Sequence, residues 1–220
     1  MPKIPVKVVT FEEIVEWSRT LAERIRESGW QPDVIVAIAR GGYIPARLLC
    51  DWLGVSDLVS IQVVHWPTAA QMAEKAYVKY PVSVDLSGKK VLVVDDIVDT
   101  GDSVELAKKS VEECCKPAEV RTATLQVITP VAKYVPNYYA IEVKEWIWFA
   151  YPWNAVEDAV GFVMKIVKET GKTTWCLDEL IHAHIEWYGR EYIEKRFGYI
   201  LYAVDLMGKR GLIKLNKCTS

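Results

Sequence analysis

Val91-Leu92-Val93-Val94-Asp95-Asp96-Ile97-Val98-Asp99-Thr100-Gly101-Asp102-Ser103 decides the fold of this 220-residue chain. Its first four residues are a continuous apolar run, which suits a strand covered on both faces. Two carboxylates and a small-residue turn follow, and a helical pattern then runs from about Ser103 to Cys115. Strand, polar turn and helix are the parts of a βαβ unit, so a mainly parallel sheet is expected. The turn has chemistry of its own. Thr100, Gly101, Asp102 and Ser103 can aim backbone amides and hydroxyls at one point, and the helix start adds positive potential, which together suit phosphate. Asp95, Asp96 and Asp99 would repel a bare phosphate. They make sense if the ligand also presents hydroxyl groups or a divalent cation.

Working outward, Thr10-Phe11-Glu12-Glu13 has the form of a capping box, and apolar residues recur at helical spacing from Phe11 to Ile25, before Gly29. Val34 to Ala39 is a second buried run. It breaks at Arg40-Gly41-Gly42, and Pro45 is suited to open the helix that carries Leu48, Leu49 and Trp52. Leu58 to Val64 reads as a strand, His65 to Ser87 as a long polar excursion, Val120 to Ile128 as a fourth strand, and Tyr139 to Phe149 as at least one more. The expectation is an α/β fold with a mainly parallel five-stranded sheet flanked by helices. Ligands on such sheets bind beyond the carboxyl ends of the strands, where the Arg40 turn, the His65 excursion and the Asp95–Ser103 turn gather. After Pro152-Trp153 the pattern is helical only, with stops at Gly171, Gly189 and Gly208. Residues 1–153 are read as a catalytic domain and 154–220 as a helical extension forming a three-helix bundle.

Composition narrows the classes. The chain is 51% hydrophobic and 25% charged with a net charge of −2, so nucleic acid and anionic membrane are not the expected partners. No apolar run approaches the roughly 18 residues of a membrane span. The N-terminus lacks the apolar core of a signal peptide, and a cytoplasmic setting is expected. The five cysteines show no metal-ligand spacing and suggest no disulfide scaffold. His182 and His184 lie two apart on one helix and face different ways, unlike a metal pair.

The segment from Val91 to Ser103 resembles the signature of the type I phosphoribosyltransferase family: a hydrophobic strand, two acids, a short spacer and Thr-Gly. The resemblance implies that phosphoribosyl pyrophosphate (PRPP) is a substrate. Asp95 and Asp96 would then hold the ribose hydroxyls, Asp96 would also lie near Mg²⁺, and Thr100, Gly101, Asp102 and Ser103 would cradle the 5′-phosphate. Asp99 would sit beside N7 of a purine as the catalytic group. Ile38-Ala-Arg-Gly-Gly-Tyr-Ile-Pro45 is similar to the pyrophosphate loop of the bacterial 6-oxopurine members, with Arg40 and Gly41 as contacts. The excursion carrying Lys75 and Lys79 falls where the family has a lid, and either lysine could reach pyrophosphate. The family is commonly dimeric, which implies a homodimer.

Trp146-Ile-Trp-Phe-Ala-Tyr-Pro-Trp153 resembles the base-binding segment of the short 6-oxopurine enzymes. Trp148 would stack on the purine and Phe149 would offer backbone contacts. Those enzymes carry a lysine toward O6 where Ile128 stands here. Without that donor adenine is penalised less, so an adenine enzyme is the expectation. Lys133 could substitute by a loop shift, which keeps the 6-oxopurines open. Two rivals remain: an orotate or uracil transferase, and a PRPP-responsive DNA-binding regulator whose last helices and Gly211–Lys214 form a winged module. Asn154 to Ser220 holds ten Lys and Arg against nine Asp and Glu, a weak balance for a reader of DNA phosphates.

Overall fold

The computed structural model describes residues 2–66 and 75–217, and the side chains of residues 65, 66 and 75 fall outside that description. In chain order the elements are β1 (Val6–Val8), α1 (Phe11–Glu27), β2 (Val34–Ala39), α2 (Tyr43–Leu53), β3 (Asp57–Trp66), β4 (Lys75–Tyr80), β5 (Lys90–Val98), α3 (Asp102–Cys115), β6 (Glu119–Ile128), β7 (Tyr138–Val143) and β8 (Trp148–Ala150). A 3₁₀ turn at Pro152–Asn154 leads to α4 (Ala155–Thr170), β9 (Thr174–Cys176), α5 (Leu177–Tyr188), α6 (Arg190–Lys209) and β10 (Lys214–Asn216). These divide into two compact units: Glu12–Trp146, and Met1–Phe11 together with Ile147–Ser220.

In the first unit a six-stranded sheet runs in the order β4-β3-β2-β5-β6-β7. Neighbours are parallel from β3 to β7, whereas β4 runs antiparallel to β3. The sheet is therefore mixed and one strand wider than the sequence suggests. The added strand lies inside the stretch read as an excursion. Lys75–Tyr80 alternates, and Ala76 and Val78 pack on the core while Lys79 and Tyr80 are exposed. An edge strand with one wet face looks polar in sequence.

At the centre, β2 and β5 align Val34 with Val91 and Ala37 with Val94. All six residues of β2 are buried, which is why the run carries no polar alternation. Helix α3 lays Val104, Ala107 and Val111 into the core beneath Val91 and Val93, and α2 packs against β2 and β5. Each such valine contributes about 1.5–3 kcal/mol by leaving water. Helix α2 starts at Tyr43, two residues earlier than Pro45 suggests. Pro45 still falls in the first turn, where a missing N–H costs nothing.

The second unit packs α4, α5 and α6 around Phe162, Tyr188, Tyr192, Ile200 and Val204. Phe162 stacks on Tyr188 at 3.9 Å and meets Tyr192 edge-on at 5.1 Å. Two parallel strand pairs join these helices: β1 with β8, and β9 with β10. The sequence reading has neither. Three-residue strands are too short to show alternation, and β10 lies in what reads as a basic tail. His184 is buried, with Nδ1 2.8 Å from the Leu180 carbonyl oxygen; His182 makes the same backbone contact to Asp178. Both histidines thus turn back on their own helix, and among the described residues no three His, Cys, Asp or Glu side chains gather as a metal site. Cys114 and Cys115 are disulfide-bonded to each other at the end of α3, a link between neighbours that ties no distant segments together. Among the described residues no helix is long and apolar enough to cross a membrane.

Candidate active site

Strand β5 carries its acids to the carboxyl edge of the sheet before the chain turns. Asp95 and Asp96 are only 9% and 7% exposed. Asp95 accepts a hydrogen bond from the Asp96 amide at 3.0 Å, and Asp96 accepts one from the Ile97 amide at 2.9 Å. Burial first, and the Asp96 charge second, hold the Asp95 carboxyl well above the usual carboxylate range. Hydroxyl donors or a cation at this place would relieve that tension.

Because β2 and β5 are parallel neighbours, the turn after β2 arrives beside these acids. The Ala39–Arg40 peptide is cis, and the turn closes with the Gly42 amide donating to the Ile38 carbonyl at 2.9 Å. A Cβ at Gly41 would fall 2.6 Å from Asp96 Cγ, and one at Gly42 would fall 2.7 Å from the Ile38 oxygen. Side chains are excluded at both positions. Glycine lets this turn press against the end of β5. Arg40 is exposed at the head of the turn.

The Thr100 turn is braced from the far side. Gly101 has φ +95 and caps α3 with no side-chain cap bond. The amides of Lys133 and Tyr134 both donate to the Thr100 carbonyl, at 2.8 and 3.2 Å, and the Tyr134 hydroxyl lies 3.1 Å from Thr122 Oγ1. A Cβ at Gly101 would sit 2.6 Å from the Tyr134 backbone carbonyl oxygen. With its carbonyl so engaged, the turn leaves Asp99 exposed and Thr100, Asp102 and Ser103 half-buried. This brace is not readable in the sequence, because its bonds come from backbone amides that every residue type supplies. Ile128 is buried at the end of β6, and its carbonyl receives the amides of Val131 and Ala132 as the loop turns.

The other expected residues lie on other elements. Lys79 lies on β4, with β3 and β2 standing between that strand and β5; its ammonium sits 5.3 Å over the Tyr80 ring. The side chain of Lys75 lies outside the described residues. Trp148 and Phe149 belong to the second unit, on β8. Trp148 is 39% exposed. Its indole N–H donates to Asp158 at 3.3 Å, and its ring meets Phe162 edge-on at 5.5 Å. Phe149 stacks on Tyr151, and Tyr151 on Trp153 at 4.7 Å. Buried Arg196 of α6 donates to the carbonyls of Ala150 and Val9, at 3.1 and 3.3 Å. Asp158 and Arg196 escape the sequence reading, though a lone acid and a lone arginine at buried helix positions were its available signal.

The family model described as phosphoribosyl transferase domain matches residues 10–157, and the chain belongs to that family. The xanthine-guanine phosphoribosyltransferase of Gluconobacter oxydans is 30% identical over 169 residues, 74% of this chain and 92% of that protein. The crystal structure of a purine phosphoribosyltransferase from Pyrococcus horikoshii is 33% identical with a TM-score of 0.59, covering 67% of this chain and 93% of that one. A Helicobacter pylori xanthine-guanine-hypoxanthine phosphoribosyltransferase, 22% identical with a TM-score of 0.59 over 71% and 98% of the two chains, shares the fold. The chain is thus a member of the type I purine phosphoribosyltransferases. Residues 158–220 lie beyond the family match.

Proposed function

We propose that this chain is a purine salvage enzyme that transfers ribose 5-phosphate from PRPP to a free purine base and releases pyrophosphate. The observation that carries the proposal is the packing of Gly41 against the Asp96 carboxylate. It joins the turn suited to pyrophosphate with the acids suited to ribose. In this reading the C1–O bond to pyrophosphate breaks, a purine nitrogen forms the new bond to C1, and the proton that the base gives up at N7 passes toward Asp99. Asp95 and Asp96 hold the ribose hydroxyls, residues 100–103 hold the 5′-phosphate, and Arg40 and Gly41 hold the leaving group, with Lys75 or Lys79 closing over it. Positioning and charge balance do most of the work.

Mg²⁺ fits this donor set. It binds through one or two carboxylates and completes its shell with water and phosphate oxygens, so Asp96 suffices without a cluster of protein ligands. Bound there, it would offset the negative charge of the departing pyrophosphate. Residues 1–153 are taken as the catalytic part, 154–220 as an extension, and a homodimer as the working assembly.

For the base, two readings stand. The names of the relatives favour a 6-oxopurine, guanine or xanthine above all, and this is the first reading. The second is adenine, favoured by Ile128, which ends β6 without a donor for O6. The exposed Lys133 beside it supports the first. A spectrophotometric panel of PRPP, Mg²⁺ and each nucleobase decides between them. Guanine or xanthine turned over at least ten times faster than adenine is the expected result. Preference for adenine establishes the second reading, and turnover of orotate or uracil alone removes both.

A further inference from the structure

We infer that the adjacent cysteines Cys114 and Cys115 form a thiol–disulfide exchange site, opened by a dithiol reductant and closed again by a small-molecule disulfide. Its state sets how firmly the residues between β4 and β5 are held on the end of α3. The inference does not depend on the reaction proposed above. The bond between the two sulfurs contributes little to the fold. A disulfide stabilises mainly by closing a loop in the unfolded chain, and the effect shrinks with the loop. Neighbours in sequence close the smallest loop there is. What remains is chemistry, and the two sulfurs are placed unequally for it. Cys114 is exposed on the last turn of α3, where a dissolved thiolate can reach its sulfur. Cys115 is 4% exposed and belongs to the same core cluster as Val82, Leu86 and Val111. Exposed disulfides exchange readily, whereas buried sulfurs are inert. Cys50 on α2 is the contrast: a free thiol, buried, with no second sulfur beside it.

Exchange proceeds in two balanced steps. A thiolate of the reductant attacks Cys114 Sγ, the bond between the two cysteines breaks, and Cys115 leaves as a thiolate that takes up a proton. The reductant's second thiol then attacks its own sulfur in that mixed disulfide, which frees Cys114 as a thiol and leaves the reductant as a cyclic disulfide. Two electrons and two protons pass from the reductant to the pair. The consequence lies at Val82. Both sulfurs sit against its carbonyl oxygen, Cys114 at 3.6 Å and Cys115 at 3.9 Å. A disulfide has no hydrogen to donate there, whereas a thiol does. Further along the same segment, the Leu86 amide donates to the Cys115 carbonyl at 3.2 Å. Reduction thus adds a donor at one end of a segment that Cys115 already holds at the other, and oxidation withdraws it.

The test uses the folded full chain. Samples treated with oxidised or reduced dithiothreitol are alkylated without denaturant and digested with trypsin, and the peptide of residues 110–121 is weighed. It should be unalkylated and lighter by two hydrogens after the oxidised treatment, and alkylated on Cys114 after the reduced one. The Cys50 peptide should stay unalkylated in both. Brief exposure of the oxidised wild type to glutathione should place the mixed disulfide on Cys114. With oxidised glutathione, Cys115→Ser should become glutathionylated and Cys114→Ser should not. Hydrogen exchange across residues 82–86 should be roughly three- to ten-fold slower in the reduced wild type than in the oxidised, as one added hydrogen bond implies. In Cys114→Ser, whose Cys115 stays a thiol, the two treatments should give the same exchange. A pair that stays closed under reductant in the folded chain, a mixed disulfide on Cys115, equal reaction of the two variants, equal or faster exchange in the reduced wild type, or an exchange difference that persists in Cys114→Ser would overturn the inference.

Discussion

Asp99 and its amide counterpart differ by a single proton acceptor, so Asp99→Asn separates shape from chemistry. The side chain is exposed beyond the braced Thr100 turn, and the substitution leaves the turn's backbone bonds in place. Turnover should fall by roughly 10²–10⁴ while PRPP affinity holds, since that is the usual contribution of a positioned proton acceptor. Equal kcat in the two proteins removes Asp99 from the mechanism. His184 makes a different residue-scale statement. Its Nδ1 must carry the proton, because a carbonyl can only accept, and its Nε2 has no hydrogen-bond partner among the described residues. Burial lowers its pKa below the ordinary histidine value, with the Leu180 bond opposing. The unfolded chain therefore binds a proton that the folded chain refuses. Stability from this group is complete above about pH 6.5 and is lost as pH falls below it, by at most about 1.4 kcal/mol per pH unit. Melting curves of wild type and His184→Asn between pH 7.5 and 5 should diverge in slope. Parallel curves would show that His184 titrates alike in both states.

At the scale of elements, Arg196 links α6 to the end of the β1–β8 pair by donating to the carbonyls of Ala150, the last residue of β8, and Val9, just after β1. Arg196→Met keeps the stem but removes both charged donors and strands buried acceptors. A loss of about 2–4 kcal/mol in urea unfolding is expected; a change under 0.5 kcal/mol would mean that water replaces the arginine. The same scale shows what the sequence discloses. Val34–Ala39 and Val91–Val94 are legible because strands buried on both faces leave no room for polar residues. The Asp95–Ser103 turn is legible because its acids and glycine interrupt that run. Strand β4 is not, because at the sheet's edge lysines and a tyrosine alternate with its two core residues. Strands β1, β8, β9 and β10 are too short for any periodicity. Within the site, Gly41 is legible as a turn residue, but its approach to Asp96 arises from β2–β5 register. The Lys133–Tyr134 brace leaves no trace in residue type at all.

For the whole molecule, the parallel alignment of Val6–Val8 with Trp148–Ala150 has a consequence during synthesis. Residues 12–146 can close their sheet as one contiguous stretch while the chain is still growing, because every strand partner lies within it. Strand β1 leaves the ribosome first, its partner follows more than a hundred residues later, and the arginine that bonds Val9 later still. Until then this short strand has open edges on both sides, the condition in which nascent chains stick to one another. Lys7 in its middle and Pro5 just before it are what a chain needs in that interval: a charge and a missing amide, each of which discourages a stray strand from joining.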